Sequence, residues 1–177
     1  MSQLDHLWAG WRSAYLDSVT AADAAAASGA PVPVDDGDGS LFERILALPD
    51  GEAFVVHRGQ VVSTLLNAYP YTSGHLLVLP NRAAADLGAL DDATYDALWR
   101  EVRSAVAALR QAYRCDGVNV GMNLGRAAGA GVPDHLHVHA LPRWAGDSNF
   151  MTATAGTRVM PEPLDATWSK VRGAWPA

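Results

Sequence analysis

The sequence predicts an α+β domain in which a long helix packs on one face of an antiparallel sheet of about five strands. Apolar and β-branched segments, broken by Gly, Pro and Asn, occupy residues 53–80 and are typical of short strands. An apolar stripe at helical spacing follows over residues 91–114. Two more strand-like segments come after this helix. Strands on both sides of one long helix favour the α+β class over alternating parallel units.

The first part of the chain is predicted to be helical. Apolar residues recur three and four positions apart over residues 3–27. The stretch PVPVDDGDG, residues 31–39, has the composition of a loop. Ser40 then begins a short helix, because Ser40 and Glu43 form the spacing of a capping box.

The sheet and the long helix make up the middle of the chain. Strands are predicted in residues 53–59, 60–67 and 75–80, arranged as an antiparallel meander. Asp91 caps the long helix, whose predicted core stripe comprises Tyr95, Leu98, Val102, Val106, Leu109 and Tyr113. The segments that follow are predicted strands at 117–123 and 135–142, a glycine-rich loop at 125–131, and a short helix at 165–173.

Composition limits the classes of function. The chain has 177 residues and a formal net charge of −6, so no overall positive field attracts nucleic acid or an anionic membrane. Cys115 is the only cysteine, which excludes an internal disulfide and a cysteine-based zinc cluster. The N-terminus lacks the pattern of a signal peptide, and no apolar segment is long enough to span a membrane. We expect a cytoplasmic protein.

Three of the six histidines lie in the stretch DHLHVHALPRW, residues 134–144. Side chains two apart on a strand share a face, roughly 6.5–7 Å from each other. His135, His137 and His139 should therefore line one face that opens into a cleft or to solvent. The apolar residues between them, Leu136, Val138 and Leu141, should pack wholly or mostly on the other side, against the long helix.

Three interpretations of this histidine face are open. Three imidazoles without a chemical role are hard to place together, because they are polar and repel one another when protonated. A zinc site is an alternative, although adjacent positions on one strand diverge and no carboxylate is an obvious extra ligand. Covalent catalysis is favoured, with His137 attacking phosphorus and its neighbours holding phosphate oxygens. The glycine-rich loop, which includes Gly129 and Gly131, supplies backbone N–H groups for such a phosphate.

The stretch HLHVHAL resembles the histidine triad (HIT) motif, and the likeness extends to LLNAYPYTSGHLLVLPNR and to LHVHALPRWAGDSNFM. The resemblance covers most of the chain and implies a HIT-like fold with an N-terminal helix and an irregular C-terminal tail. We accordingly divide the chain into an N-terminal helix and linker at residues 1–39, the HIT domain at 40–151, and a tail packed on the domain at 152–177. HIT proteins are usually dimers, so we expect a homodimer, with a tetramer as the alternative.

The resemblance also implies chemistry at the α-phosphate of a nucleotide, through a nucleotidyl-histidine intermediate on His137, with His135 and His139 positioning and polarising. The branch with this tail resembles enzymes in which inorganic phosphate cleaves diadenosine polyphosphates. The alternatives are hydrolysis of dinucleoside polyphosphates or nucleoside phosphoramidates, and a nucleotide-binding module with little turnover. The expected nucleotide- and phosphate-contacting residues are Asn67, His75, Asn123, Gly129, Gly131, Ser148 and Asn149.

Two departures from the family pattern bear on cofactors and on leaving groups. Zinc-binding relatives carry Cys-x-x-Cys near Ser40 and Glu43 and a His after Pro-x-Arg, where this chain has Ala83. No zinc is therefore expected and no cofactor is required, while a divalent cation is compatible with the nucleotide substrate. Hydrolase members often place Ser, Thr or Gln just before the triad, where this chain has Gly131 and Val132.

Overall fold

Five antiparallel strands and three α-helices are found in the part of the chain that this computed structural model describes, residues 39–147 and 162–176. The helices are α1 (Leu41–Leu46), α2 (Asp92–Tyr113) and α3 (Leu164–Gly173). The strands are β1 (Val55–Arg58), β2 (Val62–Leu66), β3 (Leu76–Pro80), β4 (Gly117–Met122) and β5 (Val138–Arg143). Short 3-10 helices lie at Leu87–Ala89 and Arg126–Ala128. The predicted α+β class is confirmed.

The sheet has the order β1-β2-β3-β5-β4, and every neighbouring pair is antiparallel. β1, β2 and β3 form the predicted meander. The chain then crosses through α2 to β4 at the far edge and returns as β5 between β3 and β4. β5, which lies within the histidine stretch and includes His139, is consequently paired on both sides.

The face of the sheet that packs against α2 forms the larger core. Its fully buried side chains include Leu98 and Leu109 from α2 and Val138 from β5. Burial of each such side chain stabilises the fold by roughly 1.5–3 kcal/mol. The opposite face carries a second cluster, in which Phe42 and Leu46 of α1 pack on the sheet.

The predicted stripe of α2 is correct only in part. Tyr95 is exposed and Val106 is half-buried, whereas Ala105 and Ala108 are completely buried. Small alanines at these positions let α2 lie close to the sheet.

β5 begins three residues later than predicted. Its ladder with β3 ends at the pair Val78 and Val138. Pro80 has no N–H with which to continue that ladder, and the N–H of Leu136 donates to the carbonyl of Ala84 at 2.7 Å. The buried face of β5 carries Ala140, and the prediction that Leu141 lies there is wrong, since Leu141 is only half-buried.

The predicted short helices are also present. Ser40 caps α1 in the predicted capping box, and α3 corresponds to the short helix predicted near the C-terminus. α3 packs against α2 and β1 through the buried Val171. The predicted N-terminal helix at 3–27 lies outside the described residues, as do Ser148 and Asn149. The three-part division of the chain stays a prediction. No helix within 39–147 or 162–176 has the length and apolarity to cross a membrane.

Candidate active site

The three histidines of the triad lie on the face of the sheet opposite α2, beside α1. Phe42 of α1 makes edge contacts with the rings of His135 and His137, at centroid distances of 5.4 and 5.1 Å. His137 in turn makes an edge contact with His139 at 4.9 Å. The three imidazoles are thus neighbours, as predicted, but they differ in their surroundings.

His135 is fully buried and both of its ring nitrogens are hydrogen-bonded. Nε2 lies 2.8 Å from the carbonyl oxygen of Pro80, which can only accept, so this nitrogen carries the proton. Nδ1 lies 2.5 Å from the hydroxyl of Ser40, which donates to it in the neutral ring. The prediction that all three histidines open into a cleft is wrong for His135.

His137 has one ring nitrogen assigned by its partner. Nδ1 lies 3.0 Å from the carbonyl oxygen of His135 and must donate to it. In a neutral ring the proton therefore resides on Nδ1, and Nε2 keeps its lone pair. Burial is the main cause that lowers the pKa of His137 below the ordinary value of 6.5. The ring is accordingly neutral at pH 7, in the protonation state that a nucleophile requires.

A relay of hydrogen bonds leads to the opposite tautomer in His139. The backbone N–H of Tyr71 donates to Nδ1 of His75 at 3.1 Å, so the proton of the neutral His75 ring is on Nε2. That Nε2 lies 2.8 Å from Nδ1 of His139 and donates to it. His139 consequently carries its own proton on Nε2. Burial is the main cause that lowers the pKa of His139 to about 4, with a smaller contribution from the electrostatic interaction with His137.

Asn67 and His75 are held together by the turn between β2 and β3. The side-chain oxygen of Asn67 accepts from the N–H of Tyr69 at 2.9 Å, and its Nδ2 lies 3.3 Å from Nδ1 of His75. Tyr71 stacks on His139 at a centroid distance of 5.8 Å. Tyr71 was not among the predicted site residues. Its position in NAYPYTSGH, between Asn67 and His75, was the only sequence signal of a role.

Asn123 and Gly129 are also brought together, at the end of β4. Met122 and Val138 are the last pair between β4 and β5. Asn123, which follows β4, therefore lies at the same end of the sheet as His137, which precedes β5. The amide of Asn123 donates to the carbonyl of Gly129 at 3.3 Å. Gly129 has a φ of 88°, a conformation that favours glycine. Gly131 is exposed in the same loop. Their predicted contacts with phosphate stay predictions.

The positions at which zinc-binding relatives carry ligands do converge, but as a hydrogen-bonded group. The carboxylate of Glu43 accepts from the N–H of Ser40 at 2.8 Å and from the N–H of Ala83 at 3.3 Å. Ala83 contributes a donor, which cannot bind a cation, and both carboxylate oxygens of Glu43 face N–H groups. These residues do not fit a zinc ion.

Comparison with known proteins assigns the family. The HIT domain profile matches residues 50–146, more than half of the chain. The chain belongs to the HIT domain family. This HIT protein is 37% identical over 98% of its length to a Mycobacterium tuberculosis protein named AP-4-A phosphorylase, 85% of which is covered. It is 32% identical over 52% of its length to a Schizosaccharomyces pombe protein named bis(5'-nucleosyl)-tetraphosphatase [asymmetrical], of which it covers 50%.

Two solved structures share the fold of this HIT protein. One is a Zn-bound histidine triad family protein from Mycobacterium smegmatis, with a TM-score of 0.63, 26% identity, and coverage of 76% of this chain and 91% of that one. The other is a hypothetical histidine triad nucleotide-binding protein from Sulfolobus tokodaii, with a TM-score of 0.62, 27% identity, and coverage of 75% and 89%. The predictions of the family, of the HIT-like fold and of a HIT-family enzyme that processes nucleotides are confirmed.

Proposed function

We propose that this HIT protein transfers a nucleotidyl group from a diadenosine polyphosphate to inorganic phosphate, through an intermediate on His137. The observation that carries the chemistry is the hydrogen bond from Nδ1 of His137 to the carbonyl of His135. It leaves the lone pair of Nε2 available to attack the α-phosphorus. The relative named AP-4-A phosphorylase, which aligns over almost the whole chain, supports the substrate class.

In the proposed first step, Nε2 of His137 forms a bond to the α-phosphorus of diadenosine tetraphosphate while the bond to the bridging oxygen breaks. ATP leaves, and AMP remains bound to the imidazole. The ring of His139 lies 4.9 Å from that of His137, and its Nε2–H supplies a hydrogen bond to the phosphate oxygens that carry the developing charge. Inorganic phosphate then attacks the same phosphorus, releases His137 and forms ADP.

Hydrolysis is the second candidate, supported by the tetraphosphatase relative. Water would then resolve the same intermediate, and the products would be ATP and AMP. We expect Ser148 and Asn149 to contact the attacking phosphate, and Asn67, Asn123, Gly129 and Gly131 to contact the nucleotide and its phosphates.

The test is the product pattern of diadenosine tetraphosphate with and without phosphate. The proposal predicts ADP plus ATP in equal amounts, formed only when phosphate is present, and no product with His137→Ala. AMP plus ATP at the same rate without phosphate would establish the hydrolase instead. Binding of AMP without turnover under either condition would reduce the protein to a nucleotide-binding module.

We also propose that the protein is a homodimer in the cytoplasm and needs no structural zinc. β4 is an edge strand, and its Val120 is 42% exposed, an apolar edge that a second copy would cover. Light scattering after gel filtration should give twice the mass of the chain, whereas four times that mass would indicate the tetramer.

Metal analysis should find no stoichiometric zinc, and EDTA should leave the melting temperature unchanged. A divalent cation is proposed only as a companion of the nucleotide.

A further inference from the structure

The buried hydroxyl of Ser40 holds a ring that has no access to substrate. Ser40 is 8% exposed and His135 is completely buried, and their contact joins residues 95 positions apart. With Pro80 bonded to the other nitrogen, the His135 ring is fixed at both ends. A buried polar pair of this kind has one favourable arrangement, because breaking either hydrogen bond leaves a polar atom without a partner.

The start of helix α1 also holds the backbone carbonyl of His135, through further hydrogen bonds. This carbonyl shares its peptide unit with the N–H of Leu136, which donates to the carbonyl of Ala84. The neighbouring N–H of Ala83 donates to the carboxylate of Glu43. Glu43 is the other half of the capping box that Ser40 begins.

The fixed carbonyl is the group that assigns the tautomer of His137. If the His135 peptide shifts or rotates, the hydrogen bond of 3.0 Å to Nδ1 of His137 weakens, and both tautomers of the neutral ring become populated. Only the tautomer with the proton on Nδ1 presents the lone pair of Nε2. Phe42 of α1 also touches both rings and keeps them at a fixed separation.

We propose that Ser40 and Glu43, the capping box of α1, are positioning residues for the nucleophile, acting on His137 through the ring and carbonyl of His135. Both residues thus have two roles, since they cap α1 and they also order the triad. The effect on turnover rests on the function proposed above, whereas the effect on the His137 tautomer does not.

The first measurement is the 15N spectrum of the imidazole rings in the substrate-free protein. In the wild type the two ring nitrogens of His137 should have widely separated shifts, as one tautomer predominates. In Ser40→Ala the two shifts should approach each other. The second measurement is turnover, where Ser40→Ala should lower kcat about tenfold with KM changed less than twofold, because orientation and not binding is lost.

Two matched variants separate positioning from loss of helix capping. Ser40→Thr keeps the hydroxyl and should restore both the separated shifts and most of kcat. Asp91→Ala removes the cap of α2, where Asp91 accepts from the N–H of Thr94 at 2.7 Å. This helix packs on the face of the sheet opposite the triad. The free energy of unfolding of Asp91→Ala should fall about as much as that of Ser40→Ala. The His137 shifts and kcat should both stay unchanged.

The inference is overturned if Ser40→Ala is folded and its His137 shifts match those of the wild type. It is also overturned if Ser40→Ala and Asp91→Ala lower kcat equally, since capping alone would then explain the loss. If the wild type turns over no dinucleoside polyphosphate, the proposed function fails, and the 15N comparison still decides whether Ser40 positions His137.

Discussion

Hydrogen-bond partners, more than position in the motif, distinguish the three triad histidines. His135 is neutral with its proton on Nε2, His137 has its proton on Nδ1, and His139 has its proton on Nε2. Each assignment depends on a backbone group that can only accept or only donate. One ring is therefore structural, one offers a lone pair, and one offers a proton, although the sequence HLHVH treats them alike.

His75 is expected to act on turnover through the tautomer of His139. His75→Phe keeps an aromatic ring but removes the donor to Nδ1 of His139. We expect kcat to fall by about tenfold to a hundredfold, equivalent to about 1.4–2.7 kcal/mol. Steady-state kinetics on a variant shown to be folded by circular dichroism measures this.

His57→Asn is the matched control for His75→Phe. His57 is another hydrogen-bonded imidazole, with Nδ1 2.7 Å from a carboxylate oxygen of Glu101 on α2. It has no contact with the triad among the described residues, so kcat should stay within twofold of the wild type. Equal losses in the two variants would mean that His75 contributes only stability.

At the scale of elements, the turn before β3 depends on Gly74. Gly74 has a φ of 81°, and a Cβ there would lie 2.7 Å from Tyr113 and 3.0 Å from Pro142. The turn therefore fits closely against α2 and β5, and this fit places His75 beside His139. A larger residue would strain the backbone and displace the turn.

Gly74→Ala should lower the free energy of unfolding by about 1–3 kcal/mol. Gly117→Ala is the control, because a Cβ at Gly117 would meet no atom within 4 Å; its stability should be unchanged or slightly higher. Urea unfolding of the two variants and the wild type makes the comparison. A Gly74→Ala variant as stable as Gly117→Ala would show that the turn tolerates movement.

Local pattern was sufficient to predict the helices and strands of the described residues to within a few positions, since each depends on nearby residues. Ser40 and Glu43 marked α1 by their spacing, and Asp91 marked the start of α2. The order of β5 between β3 and β4 was not predictable in this way, because pairing between distant strands leaves no local signal. The late start of β5 is a similar case, as it depends on Pro80, a residue of the neighbouring strand.

Which residues form the site could be predicted from the sequence, but how they contact one another largely could not. The spacing of the triad, and its resemblance to a family, identified His137 and its neighbours. The burial of His135 depends on Ser40, which lies 95 positions away, and a capping residue gives no sign that its hydroxyl has a second partner. The roles of Tyr71 and Phe42 likewise follow from long-range packing.

For the whole molecule, the neutral triad predicts a dependence of stability on pH. Burial lowers the pKa of His135, His137 and His139 below 6.5, to about 4 for His139. The unfolded chain then binds more protons than the folded one between these values, so stability rises with pH across this window. The stability that the fold has with these histidines neutral is fully present above about pH 6.5 and is lost as the pH falls towards 4.

Urea unfolding at several pH values between 4 and 7 measures this contribution. The decline on acidification should be smaller in His139→Phe, which removes the imidazole whose pKa is lowered to about 4. Identical slopes in the wild type and this variant would show that His139 takes up no excess of protons on unfolding.

The proposed chemistry requires that His137 carries the nucleotidyl group during turnover. The most direct measurement is peptide mass spectrometry of the protein quenched in base during turnover of diadenosine tetraphosphate, since a phosphorus–nitrogen bond is labile in acid. We expect an added AMP on His137, discharged by phosphate and absent from His137→Ala. A folded, active wild type that carries AMP on another residue, or on none, would contradict it.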